Sequence, residues 1–230
     1  MIEVTNLTKN YGSFKAVDHI SLQALPGKIT VLLGPSGAGK STTIKSITNL
    51  LEYQGEVTIC GHKNDTIEAK QRFGYIPEVP VLYDLLTIDE HVDFIARAYH
   101  KQNYKENADK YLTLFNLQDK RKKNVKELSK GMKQKVSMLL ALIIEPEALL
   151  VDEPMVGLDP ASIEETLELF KTLKEEGCAI FISTHIIDVI NDLWDQAYIM
   201  NNGKIVKEVS RESIGEETLK QIFFECTEGK

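Results

Sequence analysis

Three short apolar runs stand out along the chain, at residues 29–33, 148–151 and 178–182. Each is too short for a typical helix and consists almost wholly of apolar side chains, as expected of a strand buried on both faces. Between the runs, apolar residues recur every three or four positions, which is the spacing of a helix with one buried face. Buried strands that alternate with helices indicate an α/β fold with a parallel sheet covered on both sides.

Other stretches carry different patterns. Residues 2–9, 19–25, 56–60 and 74–76 predict further strands. Asn202 and Gly203 form a strong turn signal, which predicts a hairpin between strands 198–200 and 204–209. Thr87 and Glu90 form a capping box at the start of a helix. The predicted helices cover 87–99, 105–115, 128–144, 159–176 and 186–194, and the tail beyond 211 is predicted to be helical and polar.

A glycine-rich turn directly follows the first apolar run and leads into a helical pattern. Its spacing, G-x-x-x-x-G-K-[ST], is that of a phosphate-binding loop. Glycines let the backbone approach phosphate oxygens, and successive N–H groups form an anion-binding nest at a helix N-terminus. The lysine adds a charge for the β- and γ-phosphates, and the serine hydroxyl suits Mg²⁺. The predicted phosphate site comprises Gly34, Pro35, Ser36, Gly37, Ala38, Gly39, Lys40, Ser41 and Thr42.

Two carboxylates follow the second apolar run. Ligands of parallel sheets bind at the carboxyl ends of the strands, so Asp152 and Glu153 are expected to face the phosphate loop. Asp152 is the expected Mg²⁺ ligand, and Glu153 is placed to orient or deprotonate an attacking water. His185 follows the third run at the same edge and is predicted to contact the γ-phosphate or that water, although a histidine there can also be purely structural.

Composition narrows the class of protein. The 230 residues fit one domain, or a core with a smaller lobe, and the net charge of −7 argues against a broad basic face for nucleic acid. Three cysteines without metal-like spacing favour a reduced compartment. The N-terminus lacks a signal-peptide pattern, and the longest apolar run, 138–144, is far shorter than the roughly 20 residues of a membrane span.

A second potential phosphate contact lies at the start of the helix predicted for residues 128–144. Residues 128–134, with the sequence LSKGMKQ, place a serine and a glycine at a helix N-terminus. The serine lies 89 residues after Lys40 and 23 before Asp152. With these spacings the whole chain resembles the ATPases of the ATP-binding-cassette (ABC) family. Residues 75–83 and 130–135 further resemble the ATPase subunits of bacterial ABC-2-type exporters, the drug, lantibiotic and Ecs-like group.

The resemblance implies a P-loop NTPase core of mainly parallel sheet, an antiparallel β arm and an inserted helical subdomain. It places the core and arm in 1–78 and 136–210, the helical subdomain in 79–135 and a C-terminal tail in 211–230. It also implies individual roles: Tyr11 stacks on adenine, Val17 lies near the ribose and base, Glu78 contributes to the metal site, His185 is the switch histidine, and Ser129 and Gly131 touch the γ-phosphate held by a second subunit.

Three residues depart from the family pattern. Glu78 replaces the usual glutamine, and an ionised carboxylate can only accept hydrogen bonds. Lys130 replaces a signature glycine, and either brings charge towards a γ-phosphate bound by a partner or points to solvent. Met132 replaces the usual glutamine of the signature.

Two neighbouring stretches suggest contacts outside the ATP site. Residues 120–135 contain eight Lys or Arg and one acid, Glu127. Such a run is either a solvated face or a site for anionic lipid headgroups or a membrane subunit's cytosolic loop. Apolar residues just after Glu78 are predicted to face a partner, and the family docks its membrane subunit nearby; they are Val79, Val81, Leu82 and Tyr83.

The sequence therefore predicts an ATP-hydrolysing subunit of an ABC transporter, with ATP and Mg²⁺ as cofactors. It is expected at the inner face of the cell membrane, where it powers transport, and more specifically export, through a separate transmembrane permease. The resemblance implies that head-to-tail dimerisation with an identical or different ATPase subunit drives the cycle, and no nucleic-acid partner is expected. The alternative is a soluble ABC ATPase of translation or DNA maintenance, although such proteins usually fuse two cassettes or carry coiled-coil or zinc insertions.

Overall fold

A computed structural model of the chain describes residues 1–190, 193–215 and 217–228. Its strands are β1 (Ile2–Tyr11), β2 (Phe14–Ala24), β3 (Ile29–Leu33), β4 (Gln54–Ile59), β5 (His62–Lys63), β6 (Phe73–Ile76), β7 (Ala148–Asp152), β8 (Ala179–Thr184), β9 (Gln196–Asn201) and β10 (Lys204–Ser210). Its helices are α1 (Lys40–Ile47), α2 (Ile67–Lys70), α3 (Ile88–Ala98), α4 (Tyr104–Leu114), α5 (Lys130–Leu142), α6 (Pro160–Glu175), α7 (Ile187–Ile190) and α8 (Leu219–Glu228).

The central sheet has six strands in the order β10-β9-β3-β8-β7-β6. Five of them, β9, β3, β8, β7 and β6, pair in parallel, and β10 closes the edge as an antiparallel hairpin with β9. All residues of β3, β7 and β8 are buried, as their apolar runs predict. The expected α/β class with a mainly parallel sheet is confirmed.

The second sheet is an antiparallel arm in the order β2-β1-β4-β5. Its first two strands are longer than their patterns predict, because the pairing continues through exposed polar residues to Tyr11 opposite Phe14. Register shifts interrupt this pairing, and Asn6 and His19 have positive φ, as is usual where bulges bend a strand. Apolar alternation alone could not reveal the outer half of the arm.

The helical part begins after β6. Thr87 caps α3 with the predicted capping box, Ser129 caps α5, and Asp159 caps α6, which starts with Pro160. Two single turns of 3₁₀ helix, Gln118–Lys120 and Val125–Glu127, connect α4 to α5. The division into core, helical subdomain and tail stays a prediction.

Two predicted elements near the C-terminus differ from the structure. The helix expected at 186–194 is seen only as α7, and residues 191 and 192 lie outside the described part of the chain. The described residues 211–215, 217 and 218 are not helical, so the tail is helical as predicted only in α8, which is not simply polar because it buries Leu219, Ile222 and Phe223. These three side chains follow helical spacing, so this apolar face was predictable from the sequence.

The core lies on both faces of the central sheet. Successive side chains of a strand point to opposite faces, so Val31 joins the cluster under α3 to α6, whereas Leu32 joins the cluster against α1 and the arm. In the described ranges, no helix is both long enough and apolar enough to span a membrane.

We expect Phe170→Ala, in α6, to lower the free energy of unfolding by about 3–5 kcal/mol, because Phe170 is fully buried and its removal leaves a cavity. Phe14→Ala is the matched control, since Phe14 lies exposed at the tip of the arm and should change the same quantity by about 0.5 kcal/mol or less. Urea denaturation followed by circular dichroism measures both. Equal losses in the two variants would contradict this assignment of the core.

Candidate active site

The phosphate-loop sequence forms the turn between β3 and α1. Gly37 and Gly39 have φ of 80° and 109°, which side chains other than glycine rarely adopt. A Cβ atom at Gly39 would lie 2.5 Å from the carbonyl oxygen of Ala16, and one at Gly34 would lie 2.4 Å from that of Met200. The loop therefore fits between β2 and β9 only as glycine-rich backbone, and the sequence could not have identified these two walls.

Lys40 lies at the centre of this turn and is only 6% exposed. Its Nζ donates hydrogen bonds to the carbonyl oxygens of Gly34, at 2.8 Å, and Pro35, at 3.3 Å. The Nζ also lies 3.5 Å from Oε1 of Glu153, which is equally buried. The predicted phosphate-binding lysine and the predicted catalytic carboxylate therefore form an ion pair.

A second contact joins the loop to the end of β7. The Ser41 hydroxyl donates to Oδ1 of Asp152 at 3.0 Å, so the two predicted metal ligands are neighbours. The Ser183 hydroxyl donates to the same Oδ1 at 2.5 Å. Sequence reasoning did not assign Ser183 a role, although it is the penultimate residue of β8 and is paired in register with Asp152, the last residue of β7.

Glu153 is held from two sides. Its φ is 48°, and its N–H donates to the carbonyl oxygen of Ser183 at 3.0 Å, which turns the carboxylate away from the strand direction. Nδ1 of His185 lies 2.9 Å from Oε1 of Glu153. Because an ionised carboxylate only accepts, this bond requires the proton on Nδ1. The structure thus brings Lys40, Glu153 and His185 together.

Glu78 lies on a groove that opens beside Asp152. The groove has a volume of about 640 Å³, and both carboxylates line it together with Tyr75. Burial, and then the negative charges of Asp152 and Glu78, raise the pKa of the Tyr75 hydroxyl. The remaining wall is largely apolar and includes Phe73, Val79, Val81, Leu82, Ile95 and Leu140.

Gln134 ties the two walls of this groove together and was missed by sequence reasoning. The residue is buried in α5, and its Nε2 donates to the carbonyl oxygen of Pro77 at 3.2 Å. Pro77 immediately precedes Glu78, so α5 is bonded directly to the segment that carries this carboxylate. A single amide in a charged helix gives no sequence signal for such a contact.

The two residues predicted to hold the base lie in the arm. Tyr11 is 49% exposed next to the turn of the β1–β2 hairpin, and the Lys9 Nζ lies 5.1 Å from the centre of its ring. Val17, in contrast, is fully buried in the core. The neighbouring Ala16 carbonyl contacts the phosphate loop, as described above. The roles of Tyr11 and Val17 in nucleotide binding stay predictions.

The signature residues make contacts elsewhere on the chain. Ser129 is exposed, and its hydroxyl accepts a hydrogen bond from the N–H of Met132 at 3.3 Å. A Cβ atom at Gly131 would lie 3.3 Å from the carbonyl oxygen of Gly157, and one at Gly157 would lie 3.1 Å from Cε of Lys130. The stem of Lys130 therefore covers Gly157. These contacts tie the signature to the segment before α6 and not to the chain's own phosphate loop.

The ABC transporter family matches residues 17–156, a stretch that contains the phosphate loop, the signature and the two carboxylates. The chain belongs to the ABC transporter family. It is accordingly an ATP-binding ATPase subunit of a transporter. The resemblance to ABC ATPases inferred from the sequence is confirmed.

Individual relatives agree with this assignment. The chain is similar to the SkfA peptide export ATP-binding protein SkfE of Bacillus subtilis, with 34% identity over 212 residues, which cover 91% of this chain and 89% of the relative. A solved ATP-binding subunit of an ABC transporter superposes with a TM-score of 0.92 at 33% identity, covering 98% of each chain. A dimeric ATP-binding cassette in a post-hydrolysis state with ADP and Pi gives a TM-score of 0.81 at 26% identity, covering 91% of this chain and 98% of that one.

The residues present fit the predicted Mg²⁺. Within the described ranges, no group of three or more His, Cys, Asp or Glu side chains is arranged to hold a metal by itself. Magnesium does not need such a cage when a nucleotide is bound, because it takes one or two protein oxygens and completes its shell with phosphate and water. The adjacent Ser41 hydroxyl and Asp152 carboxylate supply those two oxygens.

We expect Ser183→Ala to raise the Mg²⁺ concentration that gives half-maximal ATPase activity by about 10- to 100-fold, since groups that orient a metal ligand typically contribute that much to affinity. The variant removes the hydroxyl that holds Asp152. Ser46→Ala is the matched control, because the Ser46 hydroxyl is also buried but bonds only within α1, to Thr42. An equal shift in both variants would show that Ser183 does not act through Asp152.

Proposed function

We propose that this chain hydrolyses ATP to power export through a separate membrane subunit, as one half of an ATP-driven dimer. One observation carries the hydrolytic part of the proposal. Lys40 and Glu153 lie 3.5 Å apart, with His185 bonded to the same carboxylate. A phosphate-binding cation, a general base and a group that positions the base thus meet at one point.

In the proposed cycle, the triphosphate displaces the contacts that Lys40 now makes. The lysine leaves the carbonyl oxygens of Gly34 and Pro35 and binds phosphate oxygens, which separates it from Glu153. The freed carboxylate accepts a proton from the attacking water, while His185 keeps it oriented. Ser41 and Asp152 would hold Mg²⁺, which would supply positive charge that stabilises the negative charge of the phosphates.

A second subunit is proposed because the signature lies apart from the chain's own phosphate loop. Lys130 and Gly131 lie against Gly157, and Ser129 is exposed at the N-terminus of α5, where the helix dipole favours an anion. The dimeric cassette to which this chain is similar supports an arrangement of paired subunits. In a head-to-tail pair, the signature of one copy would meet the γ-phosphate held by the other.

The membrane subunit is proposed to dock in the groove next to Glu78. Val79 and Val81 lie at its rim and are largely exposed, Val81 to 89%. An apolar, cytosolic segment of the permease would cover these side chains. Docking of that segment would hold the chain at the inner face of the membrane. The export direction is proposed from the similarity to SkfE, whose name states peptide export. Nothing comparable favours a role in translation or DNA maintenance.

Glu153→Gln should preserve ATP binding and lower turnover by about 10²–10⁴-fold, because the amide keeps the shape of the side chain but cannot accept the proton. With ATP, the variant should accumulate as a dimer on size-exclusion chromatography. Glu147→Gln is the control, since Glu147 precedes the opposite end of β7 and should retain activity. Turnover of the Glu153→Gln variant at the unmodified rate would remove Glu153 from the proposed role.

Val81→Glu should abolish co-purification of a membrane protein with the tagged full chain from detergent-solubilised membranes, because it places a charge in the apolar groove. Its ATPase activity in isolation should stay within about twofold of the unmodified rate, since Val81 makes none of the contacts that join Lys40, Glu153 and His185. Val206→Glu is the matched control, at an exposed position on β10. Equal recovery of the membrane protein by both variants would exclude the groove as the docking site.

A further inference from the structure

The end of the loop after Glu78 and the start of α3 are bonded to the start of the basic run. The N–H of Val125 donates to the carbonyl oxygen of Leu86 at 3.0 Å, and that of Lys126 donates to Asp84 at 3.1 Å. The N–H of Asp89 donates to Arg121 at 3.1 Å on the other side of a bridge between Thr87 and Asn124. Residues 84–89 and 121–126 are therefore adjacent strips of one surface.

Half of the cations in the run are already neutralised. Arg121 binds Asp89 and Asp109, and the remaining pairs are Lys120 with Asp119, Lys133 with Asp84, and Lys135 with Glu165.

Three lysines next to the loop are not neutralised. Lys122, Lys123 and Lys126 are exposed, and none of them forms an ion pair with any described residue. The acid in the run, Glu127, only partly offsets them. A local excess of positive charge thus persists on a chain whose net charge is −7.

Apolar side chains are held outward on the adjoining strip. Tyr83 is 60% exposed and Leu85 is 72% exposed. The backbone beneath them is fixed, because the Tyr83 N–H donates to Nε2 of the buried His91 at 2.9 Å and the Leu86 N–H donates to the Tyr83 carbonyl oxygen at 3.1 Å. The exposure of these two side chains therefore belongs to an ordered loop.

We propose that Tyr83, Leu85, Lys122, Lys123 and Lys126, here called the basic-apolar patch, bind the anionic headgroup layer of the membrane directly. Lysines are attracted to anionic lipid individually and without fixed geometry, and tyrosine is enriched at the membrane–water interface. The proposal deepens the proposed function and rests on it for the placement of the chain at a membrane, since Val79 and Val81 of the docking groove lie just before Tyr83.

The side-chain chemistry favours lipid over a protein partner. Protein interfaces are depleted in lysine and enriched in arginine, because the guanidinium forms fixed bidentate bonds. In this region the arginine, Arg121, is used inside the chain, and the side chains that remain unpaired are lysines. A diffuse anionic surface needs no geometric match to such flexible ammonium groups.

The test is sedimentation of the purified full chain with protein-free vesicles of phosphatidylcholine, with or without an equal part of phosphatidylglycerol. Binding is expected only with phosphatidylglycerol, and it should fall as salt is raised. The variant K122Q/K123Q/K126Q should bind about fivefold more weakly per lysine, or roughly a hundredfold in all. Leu85→Ala should weaken the binding that persists at high salt.

The matched control is K70Q/K105Q/K207Q, which removes the same number of exposed charges from α2, α4 and β10. It should bind the vesicles like the unmodified chain, and both triple variants should retain basal ATPase activity. Equal loss in the two triple variants would reduce the effect to net charge and overturn the proposal.

Two further outcomes separate this proposal from the proposed function. Absence of binding to phosphatidylglycerol vesicles, together with lysine-dependent recovery of a membrane protein, would identify that protein as the occupant of the patch. It would overturn the lipid assignment and leave the proposed function intact. Vesicle binding by a chain that recovers no membrane protein would support the lipid assignment and count against the proposed function.

Discussion

The burial of Lys40 is the constraint on which the site depends. An ammonium group that is almost fully removed from water is costly unless charge and hydrogen bonds compensate it. Here the compensation comes from the carbonyl oxygens of Gly34 and Pro35 and from Glu153, and these groups belong to the ends of two different strands. The loop and the end of β7 must therefore meet, which the central sheet achieves by placing β3, β8 and β7 side by side in parallel. A triphosphate offers the same ammonium a stronger anion, so binding can release Glu153 at little electrostatic cost.

Much of the arrangement of the site was predictable, because its residues follow the ends of predicted strands. Lys40, Asp152, Glu153 and His185 each follow an apolar run, and parallel strands bring such positions to one edge. The contacts of Ser183 and Gln134 were not predictable, since a hydroxyl or an amide acquires its role only from the partner that the register supplies. The same reason explains the outer arm, where strand pairing continues beyond the apolar pattern. The buried face of α8 is different, because its apolar side chains follow ordinary helical spacing and were predictable.

The replacement of glutamine by Glu78 acquires a physical meaning in this setting. Glu78 and Asp152 line the same groove, and both charges act on the hydroxyl of Tyr75. Two carboxylates near one another favour a bound cation more strongly than a carboxylate beside an amide would. At the same time, Glu78 loses the ability to donate when it is ionised. The substitution therefore replaces a hydrogen-bond donor at this position with a negative charge.

Helix α5 connects the nucleotide chemistry to the outer surface of the chain. Ser129 caps its first turn, Gln134 bonds to Pro77 from its second turn, and Leu140 lines the groove further along. A helix of 13 residues is about 20 Å long and behaves as a rigid element on this scale. In the proposed dimer, a displacement of the N-terminus of α5 by an anion at Ser129 would reach Pro77 through the bond from Gln134. Pro77 precedes Glu78, so the same displacement would move the carboxylate that shares the groove with Asp152. Under the proposed function, one helix would thus connect a nucleotide at the signature to a partner in the groove.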